Sequence, residues 1–243
     1  MELFRTMLLS ELRNILRERM TVLMLFMPLA MGVVIRVLIE REIVEGDVLG
    51  VLAVVCALLA GFMYGALAGF SLLDDRDDQV LLSIGISPYP LWAYVWFKVG
   101  FSFLLAIGAG VALIALSGAV PMGTGDMVLV SIASAAQVPI VAFLVNAFAT
   151  NKVEGFVTMK ATGFLLLFPI GGYFFLDAKE WLFAIAPGHW AAKAVQRSMM
   201  APLINAGAAT MNLGLRGYAI IGIVYNLILA YGAYRLFLKK NQL

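Results

Sequence analysis

One histidine, one cysteine and four aspartates around an arginine are the residues of this 243-residue chain with most chemistry to offer. His189 follows Ala186, Pro187 and Gly188 and precedes Trp190. A lone histidine, with no H-E-x-x-H and no Cys/His cluster, does not build a catalytic metal centre. Two readings of it stay open. One is an interfacial histidine beside an anchoring tryptophan; the other is a proton or metal role. Cys56 has no second cysteine to pair with, so it reveals nothing about redox compartment. No G-x-x-x-x-G-K-[ST] loop occurs, so the chain lacks that means of cradling phosphate. If ATP drives it, another polypeptide binds the nucleotide and its magnesium, and no cofactor is expected here. A membrane-embedded enzyme needs acids, histidines or a serine nucleophile converging at one depth, and the sequence offers no such set.

The acidic run is Asp74, Asp75, Arg76, Asp77 and Asp78. It is either a solvated membrane-edge loop or a site whose charge a partner or an intrachain cation answers. An apolar stub follows, with Val80, Leu81, Leu82 and Ile84 before Ser87 and Pro88. Such a stub can seat in a groove on a partner and transmit a push. Gly61, Gly65 and Gly69 form a small-residue ladder. It permits close packing within the subunit or across a dimer. Met20, Met24, Met27 and Met31 recur at helical spacing around Pro28. They read as packing residues or as a flexible, substrate-facing stripe.

The elements that must position these residues are membrane spans. Hydrophobic residues make up 63% of the chain and charged ones 13%, against about 45–50% and about 25% in soluble domains. That composition excludes disorder, nucleic-acid binding and a small disulfide scaffold, and argues against a soluble enzyme. A spanning helix needs about 20 mostly apolar residues. Gaps between charges predict spans over residues 20–39, 48–73, 91–118, 127–149, 156–176 and 217–235. Residues 79–97 are also uncharged, but Pro88 and Pro90 break them. The fold expected is an all-α polytopic membrane protein, one domain over 1–243.

With the N-terminus inside, the inner segments hold eleven Lys and Arg and the outer ones five, Arg36 at the outer edge aside. Both termini are then cytoplasmic in the inner membrane. Residues 1–19 read as an amphipathic helix on the inner surface. Its apolar side carries Leu8, Leu12, Ile15 and Leu16, and its polar side Arg5, Arg13, Arg17 and Glu18. Residues 177–216 read as an outer re-entrant region, a lid or an anchor held by Trp181 and Trp190. On this reading only Arg36 and Lys160 approach the bilayer as charges, and both lie near span ends. That counts against an ion-coupled carrier.

Four blocks together resemble the membrane subunits of type-2 ABC exporters (ABC-2 permeases). The first runs from Arg13 through Arg19 to Met27 and Pro28. The second runs from Leu72 through the acidic run to Ile86, Ser87, Pro88, Tyr94 and Lys98. The third holds Asn151, Lys152, Val153, Glu154, Gly155, Lys160 and Pro169. The fourth runs from Ile185 to Ala194. The last two look like the branch labelled fluoroquinolone or multidrug export permeases. The resemblance implies six spans per subunit, a dimer with a like or sister permease, and two cytosolic ATPase subunits. It implies that the N-terminal helix and a coupling helix at residues 75–88 meet the ATPase, through Asp74, Asp75, Arg76, Asp77, Asp78, Leu82, Ser87 and Pro88. Asn151, Lys152 and Glu154 would form a second, loop-borne contact. The family often has Glu where this chain has Asp75. An apolar or amphipathic substrate, a drug, lipid or peptide, would pass Met24, Met27, Met31, Phe164, Phe168 and Tyr173, with Phe174 nearby. The competing classes are an accessory or haem-export-like component and an ion-coupled carrier without an ATPase.

Overall fold

The structure, a computed structural model, describes residues 2–163 and 167–241, and these are helical with short connections. The helices are α1 (Glu2–Arg17), α2 (Arg19–Glu40), α3 (Gly46–Asp77), α4 (Val80–Gly85), α5 (Leu91–Ser117) and α6 (Thr124–Ala135). Next come α7 (Val138–Phe148), α8 (Lys152–Gly163) and α9 (Leu167–Tyr173). A 3₁₀ turn (Ala178–Leu182) precedes α10 (His189–Met199), α11 (Ala201–Asn205) and α12 (Leu215–Asn241).

Six stretches are long and apolar enough to cross a membrane: Arg19–Glu40, Gly46–Asp77, Leu91–Ser117, Thr124–Phe148, Lys152–Tyr173 and Leu215–Asn241. The fourth is two helices rather than one. Pro139 has no N–H, and its ring crowds the Ala135 carbonyl, so the helix breaks at Ala136 and Gln137. Gln137 N–H instead donates to Ser134 O in a tighter turn, 3.1 Å.

α3 is the axis of the bundle and packs on α2, α5, α6, α7 and α10. The glycine ladder makes that possible. A Cβ at Gly61 would lie 2.2 Å from the Ser134 carbonyl oxygen, and one at Gly65 2.8 Å from Val141 Cβ. Gly69 meets Val145 in the same way. The ladder therefore faces α6 and α7 of this same chain. Trp96, Phe143, Tyr234 and Phe237 pack tilted or edge-on with ring centroids 5.2–5.5 Å apart and tie α5, α7 and α12 together.

The chain turns sharply after α3. Asp78 caps it, and Gln79 takes a left-handed conformation with φ 58°. Few non-glycine residues occupy that region, and here it swings α4 away from the axis of α3. The segment expected as one coupling helix over residues 75–88 is therefore two pieces. Asp75, Arg76 and Asp77 belong to α3, and only residues 80–85 form the stub.

Candidate functional site

Three consecutive residues at the end of α3 point to three different neighbours. Successive helical residues project about 100° apart, and a helix end at the centre of a bundle has neighbours on every side. Asp75 turns inward to α5. Its Oδ2 accepts from Tyr94 OH at 2.9 Å and from Lys98 Nζ. Lys98 also pairs with Glu11 Oε2 of α1 at 3.2 Å and donates to Ser71 O. Ser71 Oγ donates to Glu11 Oε1 at 2.8 Å. Lys98 is 1% exposed and Glu11 3%. A buried charge persists only when paired and hydrogen-bonded, and this lysine sits between two carboxylates.

Asp74 turns to α8, where its Oδ1 lies 2.9 Å from Lys152 Nζ. Lys152 also meets Glu18 Oε1 at 2.5 Å, in the bend between α1 and α2. The hydrogen bond from Lys152 holds the Glu18 carboxyl below its usual range, and Thr21 Oγ1 adds a donor at 2.7 Å. Arg76 reaches the end of α7. Its Nη2 donates to Ala149 O at 2.5 Å, and its Nη1 to Asn241 Oδ1 of α12 at 2.6 Å. A cation at the carbonyl end of a helix is favourably placed. Asn241 Nδ2 completes the joint by donating to Asn146 O at 3.2 Å.

The acidic run is thus divided by face. Asp74, Asp75 and Arg76 are committed inside the subunit, while Asp77 and Asp78 are exposed. The stub buries Leu81 and presents Leu82 and Ile86, 68% and 92% exposed, beside Ser87, Pro88 and Trp92. A cleft of about 490 Å³ separates Asn14 and Arg17 of α1 from Asp74, Asp77 and Asp78. Of the residues expected in a loop over 151–155, Lys152 to Gly155 form the first turn of α8. Asn151 Oδ1 accepts from Glu154 N–H, and Glu154 accepts from Thr150 N–H and Oγ1. This reciprocal arrangement closes a helix start.

The presumed absence of charges inside the spans is corrected by Lys98. It lies in α5 about two turns after Leu91, and the fold buries it. A second buried set lies at the other end of the bundle. Lys193 Nζ of α10 meets Glu180 Oε2 at 3.0 Å and donates to Gln196 Oε1 and to Phe175 O. Glu180 Oε1 accepts from Tyr218 OH and Asn212 Nδ2, both at 2.7 Å. Burial pushes the Lys193 ammonium down from its usual range, against the Glu180 carboxylate that holds it up.

His189 is not interfacial. It is fully buried, edge-on to Trp190, and burial with the neighbouring Lys193 charge lowers its pKa to about 4. Trp190 is buried as well, against Trp181 and Tyr225, so Trp181 alone of that pair has an exposed indole. The hairpin helix α10 is an internal strut rather than a surface anchor.

The residues expected along a substrate path do not share one chamber. Met24 is buried over Leu67 and Phe70 in a narrow apolar crevice that Met20 and Phe156 also line. Met27 is exposed and Met31 half-buried. Tyr173 lies against Gly50, about 17 residues earlier on α3, hence roughly 25 Å away along the helix. Phe168 is half-buried on α9, Phe174 is exposed, and Phe164 lies outside the described residues.

Among the described residues, no cluster of His, Cys, Asp or Glu is arranged to hold a metal. No solved structure matches the chain. Two curated relatives, fluoroquinolones export permease proteins MT2760 and Rv2686c from Mycobacterium tuberculosis strains CDC 1551 / Oshkosh and ATCC 25618 / H37Rv, are each 25% identical over 179 residues. The match covers 73% of this chain and 67% of each relative. The family model described as fluoroquinolones export permease protein Rv2686c-like matches residues 11–234. That range takes in α2 to α11, the end of α1, most of α12 and both buried ion clusters. The chain is a multi-pass membrane protein and belongs to the Rv2686c-like fluoroquinolones export permease family.

Proposed function

We propose that this chain is the membrane subunit of an ATP-driven exporter of the type-2 ABC kind. Both termini are cytoplasmic, α1 lies along the inner surface, and residues 177–216 form the outer re-entrant region. Two such subunits, or this one and a sister, pair around the transport path, and two cytosolic ATPases supply the energy. The observation that carries the reading is the stub α4. It is nearly detached, its apolar side chains Leu82 and Ile86 face outward, and it hangs by a two-residue turn from the hub that ties α1, α5, α7, α8 and α12 to α3. Exposed apolar side chains in that position offer a surface that a partner groove can cover, and a push on it reaches every element the hub touches. The substrate is apolar or amphipathic. The crevice at Met24, Leu67, Phe70 and Phe156 is lined mainly by apolar side chains, with Glu18, Thr21 and Lys152 as its polar members. Fluoroquinolones, for which the relatives are named, are the first compounds to assay.

The test is co-expression with the genomic neighbours, followed by affinity purification on this chain. An ATPase that co-purifies with wild type and is lost from Leu82→Asp/Ile86→Asp supports the reading. A chain that purifies alone, with no partner-dependent ATP hydrolysis, removes it. One observation favours a second reading, an ion-coupled carrier: the buried Lys98 with Glu11 and Asp75. Transport in proteoliposomes that follows an imposed proton or sodium gradient without ATPase would establish it.

A further inference from the structure

Helix α1 has mixed charges in sequence, yet the fold sorts them by face. Glu11 is buried on Lys98, and Glu18 is engaged by Lys152. Arg5, Arg13 and Arg17 are all exposed, as is Arg19 at the start of α2. Among the described residues, none of these four arginines pairs with a carboxylate. Leu9, Leu12 and Leu16 are exposed on the same outward side, 52%, 38% and 58%. Leu9, Arg13, Leu16 and Arg17 line a shallow notch of about 470 Å³. Their spacing of four, seven and eight residues puts them on one helix face.

We infer that this face of α1 binds anionic phospholipid, with the phosphate between Arg13 and Arg17 and an acyl chain along Leu9 and Leu16. Two arginines in reach of one another present forked donors that match a phosphate. The apolar floor between them excludes a purely aqueous anion and fits the boundary of headgroup and chain. Glu11 and Glu18, the carboxylates nearest along the chain, are engaged by Lys98 and Lys152, and Arg17 also borders the cleft lined by Asp74, Asp77 and Asp78. The inference rests on the placement of α1 at the membrane surface proposed above, and it names the lipid that placement selects.

The test uses the full-length permease alone, purified in detergent and given equal amounts of phosphatidylglycerol and phosphatidylcholine. Native mass spectrometry then reads the lipid retained. A basic residue at an anionic surface gives roughly a fivefold preference, so two give about twenty-five-fold at low salt. Arg13→Gln/Arg17→Gln should lose most of the phosphatidylglycerol preference. Arg13→Lys/Arg17→Lys, which keeps the charge, should hold it more nearly and guards against a variant that fails to fold. Arg235→Gln/Lys239→Gln removes equal charge from the exposed end of α12 and should leave the preference intact. An unchanged preference in Arg13→Gln/Arg17→Gln overturns the inference, and so does an equal loss in the α12 variant. Loss of ATPase co-purification with unchanged lipid retention would assign the face to an acidic protein segment and also overturn it. No ATPase takes part in the lipid assay, so its failure leaves the exporter reading untouched.

Discussion

Replacing Lys98 by Met tests whether the α1–α3–α5 joint is held electrostatically. The substitution keeps the length and apolar stem of the side chain and removes its charge. Glu11 and Asp75, both at least nine-tenths buried, then face one another without a cation. Breaking a buried ion pair from one side costs about 3–5 kcal/mol, because the remaining charge stays desolvated. For a chain of roughly this size 1 kcal/mol moves the midpoint by about 2–4 °C. The expected fall in Tm is then roughly 6–20 °C, read by thermal unfolding of the detergent-purified protein. Two companions sharpen the result. Lys152→Met removes an equal charge from a pair more than a third exposed on both sides, so its cost stays near 1 kcal/mol or less. Glu11→Gln/Asp75→Asn/Lys98→Met leaves no charge behind and should regain at least half of the loss. A Lys98→Met midpoint within about 4 °C of wild type, or a larger fall for Lys152→Met, would refute the argument from burial.

Buried His189, with its pKa lowered to about 4, stays neutral in the fold while the unfolded chain takes up a proton near pH 6.5. Its contribution is complete above pH 6.5 and is lost as pH falls through 4, about 3 kcal/mol in all. His189→Phe should therefore flatten the fall in Tm between pH 6.5 and 4, and an unchanged profile would contradict the assignment. Gly61→Ala drives a Cβ into the Ser134 backbone and should destabilise by about 1–3 kcal/mol. Gly108→Ala on α5 meets nothing within 4 Å and should be neutral or stabilising by up to about 1 kcal/mol. Arg76→Gln should raise hydrogen exchange at the end of α7 and at the last turn of α12 together, since one guanidinium holds both.

Much of the span layout can be read from charge spacing, because a bilayer imposes a length on apolar runs whatever the tertiary structure. The prolines mark the stub and its turn for the same local reason. Buried charges are harder to read. Lys98 is visible as the end of an uncharged run, but a lysine about two turns inside a span looks the same whether it snorkels to water or pairs inward. What decides is Asp75, 23 residues earlier, and Glu11, almost ninety residues earlier. Helical spacing gave a usable hint here: Asp75 lies four residues from Ser71, which also meets Glu11, so one face of α3 carries both. His189 misled for a related reason. Beside Trp190 it has the look of an interface pair, and only α9 and α12 closing over it bury both rings. The break in the fourth span was signalled by Pro139 alone, inside a run uncharged enough to pass for one helix.

The position of the hub explains why so little of the acidic run is left to face a partner. A helix that ends at the rim of a bundle can spend its last charges on solvent. α3 runs through the centre, so its last charged residues meet protein on three sides, and only Asp77 and Asp78 emerge beyond it. The three inward residues fix the end of α3 to α1 and α5, to α8, and to α7 and α12. Each joint uses a different residue, so each can be cut without the others. The Asp74 joint is the most exposed and the cheapest to open, because half-exposed pairs are screened by water. The Asp75 joint is dry and costs several times more. A displacement of α4 that pulls on the end of α3 therefore opens the α8 side first, while α1 and α5 move with α3 as one body. The crevice at Met24 lies on that same α8 side, walled by Phe156 and closed at its end by Glu18 and Lys152. Cutting the Asp74 joint with Asp74→Asn should widen labelling of a cysteine placed at Phe156 without a large loss of stability, whereas Asp75→Asn should lower stability and leave that labelling near wild type. Equal labelling in the two variants would show that the joints do not differ in the way their burial requires.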